Sequence, residues 1–258
     1  MIRLKNPEEI EILREGGRRL AEILLILGKR VRPGVSALFL EEEARRLIKE
    51  GGDRPAFLGY KPQGAKRPFP AALCVSINDE IVHGVPNEAK KILREGDIVS
   101  LDFGILHRGL ITDAAITVPV GVVDDESKKL MEVTKRALKA GIKAAIPGNT
   151  IGDIGEAINT VVKTGQFSLA DDLVGHGVGY AVHEDPYVPN FGIKGKGEKL
   201  VPGLVIAIEP MVNVGKPGIK ILSDGYTIKT RDGSRSAHFE HTVAITEKGS
   251  IVLTASRG

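Results

Sequence analysis

A chain of 258 residues can bury a full-sized core, and with only 4% aromatic residues and no Trp that core must be built from aliphatic side chains. The net charge of +3, from 36 basic and 33 acidic residues, excludes a nucleic-acid-binding protein driven by bulk charge, while a pI near 8.9 leaves room for transient attraction to a polyanion such as the ribosome. The single cysteine, Cys74, excludes an intrachain disulfide framework and fits a reducing compartment.

Near the N-terminus, Asn6-Pro7-Glu8-Glu9 stands where a signal peptide would be apolar, and the apolar run 23–27 is far too short to span a membrane. A soluble, cytoplasmic protein is expected. The same four residues start a helix: an N-cap side chain, proline in the first turn and acids facing the dipole. Ile10, Leu13, Leu20, Ile23, Leu24, Leu27 and Val31 follow at helical spacing until Pro33-Gly34 stops them. Ser36 caps a second helix with Leu40, Ala44, Leu47 and Ile48 inward, closed by Gly51-Gly52. The Pro- and Gly-rich stretch 53–70 predicts an exposed loop.

Residues 71–77 predict a strand. After it, 99–118 predict a hairpin whose β-branched flanks carry Asp102 and Asp113 on one face. If the two aspartates pair directly, the turn centres between His107 and Arg108. A helix is expected over about 127–146 and another from Thr150, with Asp153 reaching back to its start. From Leu173 onward, short β-like runs alternate with Gly and Pro turns.

The two halves echo one another. Pro33-Gly34-Val35-Ser36 resembles Pro147-Gly148-Asn149-Thr150, and Val82-His83 resembles Val182-His183. Leu93-x-x-Gly96 precedes Asp102 as Leu200-x-x-Gly203 precedes Glu209, and DAAITV from Asp113 resembles EHTVAIT from Glu240. Four echoes in one order suggest a duplication, which pairs Asp102 with Glu209 and Asp113 with Glu240.

Each of those acids lies in or at the end of a run that otherwise favours burial, where an unpaired charge is costly. His176, between Gly175 and Gly177, adds a nitrogen donor on a backbone without side-chain bulk. Singly, each residue is an ordinary turn acid or loop histidine. Together, four carboxylates and an imidazole suit two hard-to-borderline cations. His107 and His241 are expected to be structural or solvated.

The motifs Cys74-VSINDEIVHG, SLDFG with ITDAA, GHGVGYAVHEDP, AIEPMV and HFEHTVAIT resemble those of type I methionine aminopeptidases, and the resemblance covers nearly the whole chain. It implies an α+β pita-bread fold: a pseudo-two-fold duplicated antiparallel sheet with two pairs of covering helices. One catalytic domain would span residues 1–258, built from related halves of about 1–120 and 121–258. The resemblance further implies that Asp102, Asp113, His176, Glu209 and Glu240 hold two divalent ions (Co, Mn, Fe, Ni or Zn), Asp113 and Glu240 bridging. Water held by them would attack the scissile carbonyl, and Glu209 would also shuttle the proton. His183 would hold that carbonyl and His83 the scissile amide. Tyr60, Phe69, Cys74, Tyr226 and His238 would form the methionine pocket. The implied substrates are N-termini of nascent polypeptides with a small second residue, cleaved by a monomer that touches the ribosome at most transiently.

Two departures stand out. Residues 61–68 make a longer loop than the family pattern, which bears on the place of Tyr60. Glu209 and Glu240 stand only 31 positions apart, which leaves no room for the helical insertion of type II enzymes. The alternatives are a prolidase or aminopeptidase P-like peptidase, which would carry a large further N-terminal domain, and a non-catalytic binding protein on the same fold, which would have lost ligands. A Ca²⁺ module is excluded because His176 is a poor calcium ligand.

Overall fold

The computed structural model describes residues 1–255. Four helices lie in the first two thirds of the chain: α1 (Pro7–Arg30), α2 (Ala37–Glu50), α3 (Asp125–Ala144) and α4 (Ile151–Thr164). Asn6 caps α1 as expected and forms a capping box with Glu9, and the Ser36 hydroxyl accepts from Phe39 N at 3.1 Å to start α2. α3 begins earlier than expected because Asp124 caps it, accepting from Ser127 N at 2.7 Å. Asp153 accepts from Thr150 N at 2.9 Å, as the sequence predicts.

The strands are β1 (Arg54–Pro55), β2 (Cys74–Ile77), β3 (Glu80–Val82), β4 (Ile98–His107), β5 (Leu110–Pro119), β6 (Ser168–Leu169), β7 (Val174–Gly177) and β8 (Glu184–Pro189). They continue with β9 (Val205–Ile208), β10 (Met211–Asn213), β11 (Ile219–Ile221), β12 (Ile228–Thr230), β13 (Ser236–His238), β14 (Glu240–Thr246) and β15 (Gly249–Val252). The main sheet is ordered β1-β4-β5-β14-β9-β7-β8, with β2 also on β4 and β15 also on β14. Outward from the β5–β14 seam, β4 and β2 on one side therefore match β9 and β7 on the other. This is the pseudo-two-fold sheet of the pita-bread fold. One apolar core lies between α1, α2 and the β2-β4-β5 side, and a second between α3, α4 and the β9-β14 side. Among the described residues no helix is long and apolar enough to cross a membrane.

Three local expectations are corrected. Asp102 pairs with Ala115 and Asp113 with Gly104, so the two aspartates are diagonal neighbours rather than direct partners. The turn is the two-residue loop Arg108-Gly109, with φ of 46° and 89°, the left-handed pair that matches strand twist. A shift of two keeps both acids on one face. Secondly, the strand expected from Ala71 begins only at Cys74. The buried Glu41 carboxylate of α2 takes Ala72 N at 2.8 Å and Leu73 N at 2.8 Å, so those amides never join the ladder. Thirdly, the stretch 53–70 is not wholly exposed, since Phe57 and Phe69 are buried and β1 pairs with β4.

The seam between β5 and β14 holds the sheet together with little backbone pairing. Only Glu240↔Ala115 and His241↔Ala114 pair directly. At one end the Thr242 hydroxyl accepts from Asp113 N at 2.9 Å and donates to Asp113 O at 2.7 Å. At the other, the Thr117 hydroxyl accepts from His238 N at 2.9 Å and donates to His238 O at 2.8 Å. Both threonines are buried, so no water can replace them. Thr242→Val and Thr117→Val each strand a buried N–H and C=O while keeping side-chain shape. Each is expected to cost about 1–3 kcal/mol in urea unfolding; a loss near zero for both would show that the hydroxyls do not hold the seam.

Candidate metal centre

The seam register places Cys74, Asp102, Ala115 and Glu240 in one row across four strands. Asp113 lies one step along β5 on the same face. From the other half, β9 ends at Ile208 and delivers Glu209, while β7 places His176 opposite Ala207. Gly175 and Gly177 have a steric reason to flank His176. A Cβ on Gly175 would meet Ala207 O at 2.3 Å, and one on Gly177 would meet Asp185 O at 2.2 Å. Only bare backbone lets β7 approach this closely.

All five expected ligands are buried. Donor atoms of Asp113, His176 and Glu240 lie within 4.8 Å of one another, as do those of Glu209, His238 and Glu240. Asp102 joins neither triple at that spacing. His176 Nδ1 lies 2.8 Å from Gly177 O; a carbonyl can only accept, so Nδ1 carries the proton and Nε2 keeps its lone pair. That nitrogen is 3.4 Å from Glu209 Oε1. His238, expected in a methionine pocket, instead sits in the acid cluster. Its Nε2 is 3.4 Å from Glu209 Oε2 and 3.8 Å from Glu240 Oε2.

The electrostatics are unfavourable for bare protein. Among the described residues no lysine or arginine pairs with any of the four acids. Burial, then the neighbouring carboxylates, pushes Asp102, Glu209 and Glu240 well above the usual carboxylate range. Asp113 is raised to about 7, also by burial. The histidines move the other way: burial, with some help from neighbouring imidazoles, holds His176 and His238 at about 3 and His83 at about 4. Asp102 Oδ1, Asp113 Oδ1, Glu240 Oε1 and both His238 nitrogens are buried without a hydrogen-bond partner. Buried polar atoms left unpaired in this way, on carboxyls that repel one another beside neutral imidazoles, form a donor set that suits a cation.

Beside the acids is a cavity of about 80 Å³ lined by Phe57, Tyr60, Phe69, Cys74, Tyr226 and His83, with Pro62, Val182 and His183 at its mouth. It is smaller than the roughly 150 Å³ void that accepts benzene, so it suits a slim flexible chain better than a ring. Tyr60, Phe69, Cys74 and Tyr226, which the resemblance groups together, all line this one cavity, and Phe57, Pro62 and Val182 join them. Among those three, Val182 had a signal in its repeat-related position next to His183. Burial, then the Asp102 charge, raises the Cys74 thiol, making it an inert wall. The long loop 61–68 is fastened over the cavity. Arg67 Nη2 donates to Glu88 Oε2 at 2.7 Å and to Asp224 O at 2.9 Å, and the Tyr226 hydroxyl donates to Arg67 O.

His83 and His183 stand where this cavity meets an open groove of about 600 Å³ that reaches His176 and Glu209. His83 holds a left-handed backbone, φ 57°, unusual for a residue with a Cβ and common at functional sites. The Tyr60 hydroxyl lies 2.8 Å from His183 Nδ1, and the His183 ring meets His176 edge-on at 4.4 Å. A larger depression, about 930 Å³, lies between α1 and β15, far from these groups. His107 and His241 are structural, as expected: His107 Nδ1 is 2.7 Å from Asp53 Oδ1 and His241 Nδ1 is 2.9 Å from Thr254 Oγ1.

Comparison with known proteins agrees with this geometry. Residues 11–247 match metallopeptidase family M24. Methionine aminopeptidase of Aquifex aeolicus is 48% identical over 256 residues, covering 98% of both chains. Methionine aminopeptidase 1 of Bacillus subtilis is 46% identical over 254 residues, covering 98% of this chain and 99% of that one. The crystal structure of methionine aminopeptidase from Thermotoga maritima superposes with a TM-score of 0.94 at 43% identity, covering 99% of this chain and all (100%) of the other. The prolidase from Pyrococcus furiosus shares the fold at a TM-score of 0.75 and 23% identity, and this chain spans 66% of its length. With this site on this fold, the chain belongs to metallopeptidase family M24 and, within it, to the methionine aminopeptidases.

Proposed function

We propose that this protein removes the N-terminal methionine from nascent polypeptides whose second residue is small, using two divalent ions held by Asp102, Asp113, His176, Glu209 and Glu240. The observation that carries it is the convergence of four buried acids without a basic partner beside a slim apolar cavity. Asp113 and Glu240, on the two strands of the seam, would be shared between the two ions. The ions would supply Lewis-acid charge and lower the pKa of water they hold.

The side chains divide the remaining work. The methionine side chain enters between Phe57, Phe69 and Tyr226, where an adaptable apolar wall suits an unbranched thioether. Burial keeps His183 below its ordinary pKa and therefore neutral. The Tyr60 hydroxyl, 2.8 Å from Nδ1, can donate there, and in that tautomer the His183 proton resides on Nε2, ready to donate to the scissile carbonyl as negative charge develops there. His83 contacts the scissile amide from the opposite wall. In this reading Glu209, once the ions have displaced its proton, would accept the proton of the attacking water and pass it to the leaving amine. A single domain of two related halves, acting as a cytoplasmic monomer with at most a transient ribosome contact, completes this reading.

A peptide panel run on apoprotein with each divalent metal added back tests the substrate. Met-Ala-Ser is expected to be cut, while Met-Leu-Ser and Ala-Pro-Ser stay essentially intact; cleavage of Ala-Pro-Ser at an equal or faster rate would move the assignment to the prolidase-like reading. Asp113→Asn and Glu240→Gln should each lower turnover by more than about 100-fold, beyond what an outer-shell partner is usually worth, and release metal on dialysis. Near-normal activity in either variant would rule out bridging by that residue.

Stability should report the same centre. The raised carboxyls keep protons in the folded metal-free chain that the unfolded chain releases, so stability falls as pH rises through their folded values. The depressed histidines have the opposite sign, but that contribution is nearly complete about one unit above their unfolded value, near pH 7.5. Between about pH 7.5 and 8.5 the carboxyls therefore decide the slope. The urea midpoint of chelator-treated protein is expected to drop across that window, and added Mn²⁺ should abolish the drop. A midpoint that rises with pH in the metal-free chain would contradict the charge assignment.

A further inference from the structure

We propose that His238 is an additional metal ligand, giving the Glu209–Glu240 end of the centre its own imidazole opposite His176. The inference rests on the metal-centre reading above. Its basis is the placement of the ring: His238 is 1% exposed, and neither nitrogen has a hydrogen-bond partner. Nε2 is 3.4 Å from Glu209 Oε2 and 3.8 Å from Glu240 Oε2. Glu209 thus stands between two imidazoles, since its other oxygen is 3.4 Å from His176 Nε2.

A direct hydrogen bond does not account for this arrangement. The contact to Glu209 exceeds the 2.7–3.2 Å usual for N–H···O, and a plain bond would leave the Glu240 contact unexplained. Donor atoms sharing one ion are spaced differently. With bonds of about 2.0–2.2 Å, tetrahedral ligands lie roughly 3.4 Å apart. The two contacts of His238 Nε2, 3.4 and 3.8 Å, have that spacing within a few tenths of an ångström, and the donor atoms of all three residues lie within 4.8 Å of one another, before any adjustment on binding. The backbone fixes the ring there. His238 ends β13, its N–H and C=O are clasped by Thr117, and it pairs with Met211 of β10.

A second imidazole changes which ions the centre prefers. Nitrogen donors favour Zn²⁺, Co²⁺ and Fe²⁺, whereas an all-oxygen end favours Mn²⁺ and Mg²⁺. Replacing His238 should therefore weaken Zn²⁺ and Co²⁺ more than Mn²⁺.

The test uses the full-length protein with Co²⁺ alone as probe. Its proton NMR spectrum in water should show two hyperfine-shifted exchangeable imidazole N–H resonances, from His176 and His238. His238→Gln should show one, and competition with a chelator should give it Zn²⁺ binding weaker by about tenfold or more, with Mn²⁺ binding changed less. A wild-type spectrum with a single such resonance overturns the proposal without any variant being made, so poor folding of His238→Gln cannot protect it. Retention of both resonances in His238→Gln overturns it equally. No shifted resonance at all would remove the metal centre itself, and failure of the wild type to cut Met-Ala-Ser, with two resonances present, would sink the substrate reading alone.

Discussion

Everything at the centre depends on how two strands from different halves of the chain meet. β5 and β14 share only two directly paired positions, and on either side of them a threonine hydroxyl takes the place of a backbone partner. The Thr117 and Thr242 hydroxyls fill the gap at opposite ends, each serving as donor and acceptor to the facing residue. A threonine hydroxyl is the shortest side chain that can do this while its methyl group still packs in a strand. The residues clasped are Asp113 and His238, so the devices that hold the seam also hold the site.

The fold also keeps other cations out. Lys5, the best-buried lysine, is committed to Glu184 at 2.6 Å, and Arg45 to Glu41 at 2.5 Å. The acids at the seam are left with one another and with neutral imidazoles. Their mutual repulsion is too costly for a stable bare protein at neutral pH, so protons or cations must be taken up. Binding free energy for an ion is thereby stored in the folded chain, and the well-packed apolar cores on either side of the sheet offset its cost.

Much of this was legible in the sequence. Caps, helix spacing and Pro-Gly stops placed the four helices, because those signals act over three or four residues and need no tertiary context. The acids were legible because charge inside apolar strand runs is anomalous, and the echo between halves then paired Asp102 with Glu209 and Asp113 with Glu240. What failed depended on distant partners. Nothing near Ala72 or Leu73 says that Glu41 of α2 takes their amides and delays β2 to Cys74. The hairpin register was off by two because Arg108 adopts a left-handed conformation that arginine does not advertise, whereas Asn or Asp before Gly109 would have done so. The loop 61–68 was visible as an addition, but its fastening by Arg67 to Glu88 and Asp224 is tertiary.

His238 is the instructive miss. It stands two residues before Glu240, and in extended chain residues two apart face the same side. If Glu240 faces the metals, His238 must do so as well unless the chain breaks between them. The chain does pause at Phe239, where β13 ends and β14 begins, yet Thr117 keeps His238 in the seam register and the face is conserved across the break. His241 follows the same rule in reverse: one residue beyond Glu240, it faces the opposite side and meets Thr254. Alternation alone, applied from the acid outward, sorts the two histidines of His238-Phe239-Glu240-His241 into one that faces the acids and one that faces away.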